Sequence, residues 1–432
     1  MADPKTKKIS SLDKIISKIL LSCAFLACLI SLISCETKSK SGGESHQEQV
    51  DRLYAEYDQA FQTYLADAVQ ALGKPTIVLE KLSDRFTVPK KITITGTPYE
   101  VGFMEGYISR RFNRPLPQRS DANRDLNEQI VLMYQRIYPQ YLEIIRGIAS
   151  AYQAEFGQID LSAMEYKFFT ELWWDLLNYD RFAQLTDFES YGDVGPTQGC
   201  SVASYFTRSR HIVGRNFDNP SDRPHYFANM QVDGCYRMMG HIVYSMYHWV
   251  VDGINEKGLS IDCATNGGEY DWKEPYPLDP AVFSGHLARI VMDTCATIDE
   301  AVALIGSVRV WFPNEGLHWI IADAAGHSVV VEFDLNRKMV VFDRQGPYEL
   351  MTNTALQKGE DYVIANCWRY RRAKPMLEAG IASNNDMLNI MSAIRPTSGR
   401  SRTLWTSIMD LNSRTFEVYY RKEFSRKYVF GF

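Results

Sequence analysis

Gly199-Cys200-Ser201-Val202-Ala203-Ser204-Tyr205-Phe206 is followed, four residues later, by His211-Ile212-Val213-Gly214-Arg215-Asn216-Phe217-Asp218. Both runs read as strands, and Arg208-Ser209 between them reads as their turn. In such a hairpin Cys200 lies opposite the Arg215–Asp218 region, within side-chain reach. A guanidinium beside a thiol favours the thiolate. Asp218 can accept from an amine or orient a base. A thiol nucleophile also needs a base, and none of the eight histidines stands at a diagnostic spacing from Cys200. Cleavage of the Gly199–Cys200 bond would supply one, because a free α-amine titrates near neutrality. Gly199 leaves its carbonyl open to attack and tolerates strained backbone.

Plainer readings stand beside this one. A single cysteine is commonly a buried structural thiol. Arg215 and Asp218 could form a structural ion pair. A papain-type cysteine would open a helix, whereas Ser201–Phe206 reads as strand.

The chain has 432 residues and a formal net charge of −5, which argues against a nucleic-acid binder. Lys5, Lys7, Lys8, Lys14 and Lys18 precede an apolar run, Ile19–Ile33, too short for a comfortable membrane span. It ends in Leu32-Ile33-Ser34-Cys35, which is similar to a bacterial lipobox with Cys35 as the lipidated residue. Residues 1–34 are expected to be a lipoprotein signal peptide and 35–49 a flexible tether. The protein is then exported and lipid-anchored at a bacterial membrane, on the periplasmic face or the cell surface. Beyond Cys35 five cysteines remain, without a C-x-x-C pair, so a disulfide framework is not expected.

Residues 50–199 are mainly helical in pattern. Val50–Leu72 is amphipathic, Lys91–Thr95 alternates like a strand, and Pro98 suits a helix start. Apolar residues recur at helical spacing from Ile130 to Ile148, and Pro139 should split that helix. Met164–Leu177, carrying Trp173 and Trp174, reads as another helix. From Cys200 onward strands dominate: Ser201–Phe206, His211–Arg215, Arg237–Val250, Leu259–Cys263, Trp319–Ala322, Ser328–Phe333 and Met339–Phe342. Helices are expected near Val282–Cys295 and Ile298–Ile305. Tyr244, Tyr247, His248 and Trp249 read as core or as an acyl pocket. The cluster Arg369, Arg371, Arg372 and Lys374 reads as a solvated face or a site for an anionic head group.

Several motifs together resemble the N-terminal-nucleophile (Ntn) hydrolases of the choloylglycine hydrolase, acid ceramidase and isopenicillin N acyltransferase group. Gly96-Thr97-Pro98-Tyr99-Glu100-Val101-Gly102 with Gly106 is similar to an upstream motif. Gly199-Cys200-Ser201 resembles the processing site, and Gly214-Arg215-Asn216-Phe217-Asp218 the G-R-N-x-D strand. Gly253-Ile254-Asn255-Glu256-Lys257-Gly258-Leu259 resembles the N-E-K-G-L turn. Leu317–Asp323 with Val329–Glu332 resembles a later hairpin, and Ala365-Asn366 the T-N site.

The resemblance implies an α+β fold, a four-layer αββα sandwich preceded by a helical light-chain segment. It implies cleavage of a linear, non-peptide amide of a small-molecule N-acyl substrate, with no metal or organic cofactor. Carried over, Cys200 is the nucleophile and Gly199–Cys200 the autocleavage bond. Arg215 and Asp218 support thiolate and ammonium. Asn266 and Asn366 flank the tetrahedral intermediate, and Arg402 corresponds to a late arginine. Asn266 also reads as a turn residue beside Gly267-Gly268, one residue further past Gly258-Leu259 than in choloylglycine hydrolases. Processing would leave a light chain ending at Gly199 and a catalytic heavy chain of residues 200–432. An acyltransferase using the same nucleophile, and an inactive surface-binding lipoprotein, are the alternatives.

Overall fold

The computed structural model describes residues 46–82, 90–164, 168–169, 199–219, 225–243, 248–266, 277–312, 316–397, 402–421 and 423–432. The expected signal peptide, Cys35 and most of the tether lie outside these residues, as do Trp173, Trp174, Tyr244 and Tyr247.

Helix α1 (His46–Leu72) leads to β1 (Ile77–Lys81) and β2 (Lys90–Gly96), which pair antiparallel. Helix α2 (Pro98–Arg111) starts where the sequence places it, because three local devices agree. Thr97 Oγ1 accepts from Glu100 N (3.3 Å), the Glu100 carboxylate accepts from Thr97 N (2.9 Å), and Pro98 holds the first helical position. The next helical pattern is split at Pro139 into α3 (Arg124–Ile137) and α4 (Pro139–Ala151). Gly102 and Gly106 are the surface on which α2 meets α4. A β-carbon on Gly102 would lie 1.9 Å from Ile144 O, and one on Gly147 of α4 would lie 2.0 Å from Tyr99 O. The upstream motif therefore encodes a close helix crossing.

Two sheets follow. One has nine strands in the order β1-β2-β5-β6-β7-β8-β11-β12-β13. Its later members are β5 (His225–Val232), β6 (Met238–Val243), β7 (Val250–Asn255), β8 (Ser260–Thr265), β11 (Leu317–Ala322), β12 (Ser328–Phe333) and β13 (Met339–Asp343). The second has six strands in the order β14-β3-β4-β15-β16-β17. These are β14 (Tyr348–Met351), β3 (Gly199–Phe206), β4 (His211–Asn219), β15 (Arg402–Asp410), β16 (Thr415–Tyr420) and β17 (Tyr428–Gly431). A short parallel pair, β9 (Val282–Phe283) and β10 (Val310–Trp311), stands apart.

The run Arg237–Val250, read as one strand, is two: β6 ends at Val243 and β7 begins at Val250. The segment before Cys200 is also more than helical. β2 pairs parallel with β5, so β1 and β2 extend the nine-stranded sheet.

Helix α5 (Ser284–Thr294) packs on β7 and β8, and α6 (Ile298–Gly306) on β12. On the other side α7 (Glu360–Asn366), α8 (Trp368–Glu378) and α9 (Asn384–Ala393) cover the six-stranded sheet, α9 lying on β4 and β15. The result is an α+β sandwich of four layers, αββα. Both faces of the inner strands are buried, and β4, β6, β7, β11 and β12 are buried throughout. That is why they read as apolar runs rather than as alternations. The turn between β7 and β8 owes its sequence to Asn255, whose Oδ1 accepts from Lys257 N (3.0 Å) and Leu259 N (3.2 Å). Gly258 there takes a φ of +83°, a conformation suited to glycine. The five cysteines among the described residues are free thiols.

Candidate active site

β3 and β4 form the expected hairpin, with Cys200 opposite Phe217 and Gly199 opposite Asp218. Strand alternation then sorts the polar side chains onto two faces. Cys200 and Arg215 face the nine-stranded sheet. There Arg215 Nη1 donates to Val251 O, and Nη2 lies 3.4 Å from Cys200 Sγ. Ser201 and Asn216 face the helices, where Asn216 Nδ2 donates to Met391 O of α9 (2.7 Å). Asp218 also meets the helical layer. Its Oδ1 accepts from Thr403 Oγ1 (2.7 Å), and its Oδ2 lies 3.8 Å from Arg369 Nη1 of α8. A register irregularity in β15 between Thr403 and Trp405 allows Thr403 to reach Asp218 while Trp405 stacks on Phe217 at 4.1 Å.

The peptide on either side of Cys200 is held by groups distant in sequence. Cys200 N donates to Asn353 Oδ1 (2.7 Å). Arg369 Nη2 donates to the same oxygen (2.7 Å), and its Nη1 donates to Cys200 O and to Ser201 Oγ (3.1 Å). Asn353 Nδ2 donates to Thr265 O (2.7 Å) and Thr265 Oγ1 (2.9 Å), which fixes the orientation of the amide. Gly199 has ordinary strand geometry rather than strained backbone. A β-carbon there would lie 3.1 Å from Arg369 Nη1, a tight contact that the guanidinium would have to relieve.

Asn266, at the end of β8, is fully buried, and neither atom of its amide has a hydrogen-bond partner. Its backbone N donates to Gly316 O (3.0 Å). An unpartnered buried amide beside Thr265, which holds Asn353, is a donor without an acceptor.

Two expected residues are not brought to this group. Asn366 is exposed at the end of α7, and its Nδ2 donates to Tyr362 O one turn back (2.8 Å). The position expected of it is taken by Asn353. Thr352-Asn353 is the literal T-N dipeptide and follows a strand, whereas Ala365-Asn366 closes a helix. That local contrast is the signal that distinguishes them. Arg402 is exposed at the first position of β15, paired with Asn219, and makes none of the contacts around Cys200 described above. The arginine that joins Arg215 at Cys200 is Arg369, which is buried, whereas Arg371 and Arg372 of the same basic cluster are exposed. His248 is likewise buried, packed on Phe169 and 3.2 Å from Glu105, so it belongs to the core.

The electrostatics depart from the simple expectation of a thiolate. Burial pushes the Cys200 thiol above its ordinary range; Arg215 and Arg369 pull it down, Asp218 pushes it up, and the balance is upward. Burial also opposes the charge on Arg215, but the surrounding Cys200, Asp252, Cys263 and Asp262 hold it above its ordinary value. With Cys200 N still in a peptide bond, the thiol is sealed and neutral.

In this four-layer sandwich Cys200 stands near the start of the β3–β4 hairpin, and Arg215 and Asp218 stand near its end. A family model described as "Linear amide C-N hydrolases, choloylglycine hydrolase family" matches residues 206–395, so the family resemblance read from the sequence stands over that segment. Penicillin V acylase of Pectobacterium atrosepticum is 31% identical over 113 residues, 24% of this chain and 30% of the acylase. The match thus spans under a third of that relative. Among solved structures, a mutant conjugated bile acid hydrolase from Clostridium perfringens is 18% identical, with a TM-score of 0.41, covering 54% of this chain and 92% of that one. Penicillin V acylase from Agrobacterium tumefaciens is 18% identical, with a TM-score of 0.40, covering 51% and 82%.

Proposed function

We propose that this protein is a self-processing cysteine Ntn amidohydrolase. It cleaves a linear C–N amide of an N-acyl small molecule through an acyl-enzyme thioester on Cys200. The observation that carries the reading is the set of contacts converging on one residue: Arg215 on Cys200 Sγ, Asn353 on Cys200 N and Arg369 on Cys200 O. Cutting the Gly199–Cys200 bond frees an amine already directed at Asn353 Oδ1, with Asp218 adjacent through the Gly199 pairing. That amine takes the thiol proton, and the thiolate attacks the substrate carbonyl. The unpartnered Asn266 amide is the donor available to the oxyanion, since both hydrogens of Asn353 Nδ2 are taken by Thr265. Collapse breaks the C–N bond, the amine returns the proton to the leaving nitrogen, and water then hydrolyses the thioester. An amine acceptor in place of water would make the same site an acyltransferase. Export and lipid anchoring through Cys35 belong to the same proposal.

Intact mass and N-terminal sequencing of the purified protein test it directly. The expected result is two chains, one beginning at Cys200, that separate only on denaturation because β2 is hydrogen-bonded to β5. A single uncleaved chain without thiol reactivity overturns the proposal. A panel of N-acyl amides assayed with the processed protein then identifies the acyl group.

A further inference from the structure

Behind Arg215 lies a second acidic group that the proposed chemistry does not use. Asp252 of β7 and Asp262 of β8 are directly opposite each other in the ladder, and both are fully buried. Their surroundings differ. Asp252 accepts from His241 Nδ1 (2.9 Å), Trp405 Nε1 (3.2 Å) and Ser407 Oγ (2.6 Å). Burial opposes its ionisation, but His241, Arg215 and Ser407 outweigh burial and hold its carboxyl below the ordinary range. Neither oxygen of Asp262 has a hydrogen-bond partner, and Arg215 Nη1 lies 3.8 Å from its Oδ1. Burial, and then the charge of Asp252, push the Asp262 carboxyl well above the ordinary range, with Arg215 acting against them. Asp252 is therefore the better-stabilised anion of the two, and the two terminal nitrogens of one guanidinium have different acids as neighbours. Nη2 lies 3.4 Å from Cys200 Sγ, while Nη1 donates to Val251 O and lies 3.8 Å from Asp262 Oδ1.

We infer that Asp262 is a positioning residue for Cys200: from the opposite side of the same guanidinium it competes with the Cys200 thiol for the charge of Arg215, so that one new anion at a time rests there. When either acid releases its proton to solvent, the attraction of Arg215 is spent and the second proton is harder to remove. The groups around the pair are Arg215 of β4, Cys200 of β3, Asp252 of β7 with His241 of β6 and Tyr420 of β16 behind it, and Cys263 of β8. β11 places Ile320 opposite Asp262, with His318 two residues away. On the far side of Cys200 stand Asp218 and Arg369.

The inference rests on Cys200 being the nucleophile, so its test reads the thiol itself. In the purified full chain, iodoacetamide alkylation is followed at the Cys200 peptide by mass spectrometry across about pH 5 to 10. Asp262→Asn, an uncharged replacement of matching shape, should give a narrower curve, the α-amine of Cys200 being then the remaining group that titrates beside the thiol. Its midpoint should lie about one pH unit lower, with about tenfold faster alkylation below the midpoint. The native protein should show a broader curve, as two coupled acids do. Asp262→Ser should behave as Asp262→Asn does. Curves superimposable on the native one overturn the inference and leave the nucleophile reading intact. Absence of amide hydrolysis with the thiol still titrating overturns the nucleophile reading instead. Failure of both variants to fold also overturns the inference, because uncharged residues would then be unable to replace Asp262.

Discussion

Cys200→Ala should accumulate as one uncleaved chain with no measurable amide hydrolysis. The expected loss in turnover is on the order of 10⁶-fold, the scale seen when a nucleophile is removed from an acyl-transfer site. The same atom serves both reactions. In the proposed chemistry Cys200 Sγ, 3.4 Å from Arg215 Nη2, attacks the Gly199 carbonyl during maturation and the substrate carbonyl afterwards. Structure should be largely retained, since the change removes one sulfur from a small, 93% buried side chain and costs about 1 kcal/mol of burial. Circular dichroism and the melting temperature of the uncleaved variant should therefore track the native protein. Cys200→Ser keeps an attacking oxygen and should cleave slowly, over hours to days, because a hydroxyl is a far weaker acid than a thiol. A heavy chain beginning at residue 200 in Cys200→Ala would show that another protease makes the cut, and would remove self-processing from the proposal.

The parts of this site written in adjacent residues were legible in the sequence. The hairpin register follows from a four-residue connection between two strand-like runs. It sets Cys200, Arg215 and Asp218 where the structure has them. Thr97-Pro98 and Pro139 mark helix boundaries by local rules and do so here. Contacts made across large sequence separations were not legible. Asn353 meets Cys200 across 153 residues and Arg369 across 169, and no periodicity or turn chemistry links them. Arg369 was hidden further by its neighbours. Arg371 and Arg372 are exposed, and the cluster read as a solvated face, while helix geometry turns Arg369 inward. β15 and β16 were missed for a related reason. They are buried on both faces as β11 and β12 are, but Thr406 and Ser407 in β15 and Glu417 in β16 interrupt the apolar run that marks such a strand. The paired carboxyls Asp252 and Asp262 lie two short strands apart around one turn, but only the opposed sheet brings Arg215 to them.

Asn353→Ala should lower kcat/KM about 100-fold and slow the Gly199–Cys200 cut, whereas Asn366→Ala should stay within about twofold of the native enzyme. The contrast follows from what each amide holds. Asn353 Oδ1 accepts from both Cys200 N and Arg369, and its Nδ2 ties the group to Thr265, so alanine leaves a buried guanidinium arm and a backbone donor without their shared acceptor. After cleavage the same loss leaves the new amine without the group that aims it, and the effect should appear in kcat more than in KM. Asn366 bonds to a carbonyl of its own exposed helix and holds nothing else among the described contacts. Arg369→Lys separates charge from geometry within the same group. A lysine can place one positive charge near Asp218, but it cannot span Cys200 O, Ser201 Oγ and Asn353 Oδ1 as the planar guanidinium does. Arg369→Lys should therefore fall close to Asn353→Ala. Near-native activity in Arg369→Lys would mean that the site needs only the charge. Native activity in Asn353→Ala alongside a large loss in Asn366→Ala would transfer the role to the helix end and break the arrangement described for Cys200.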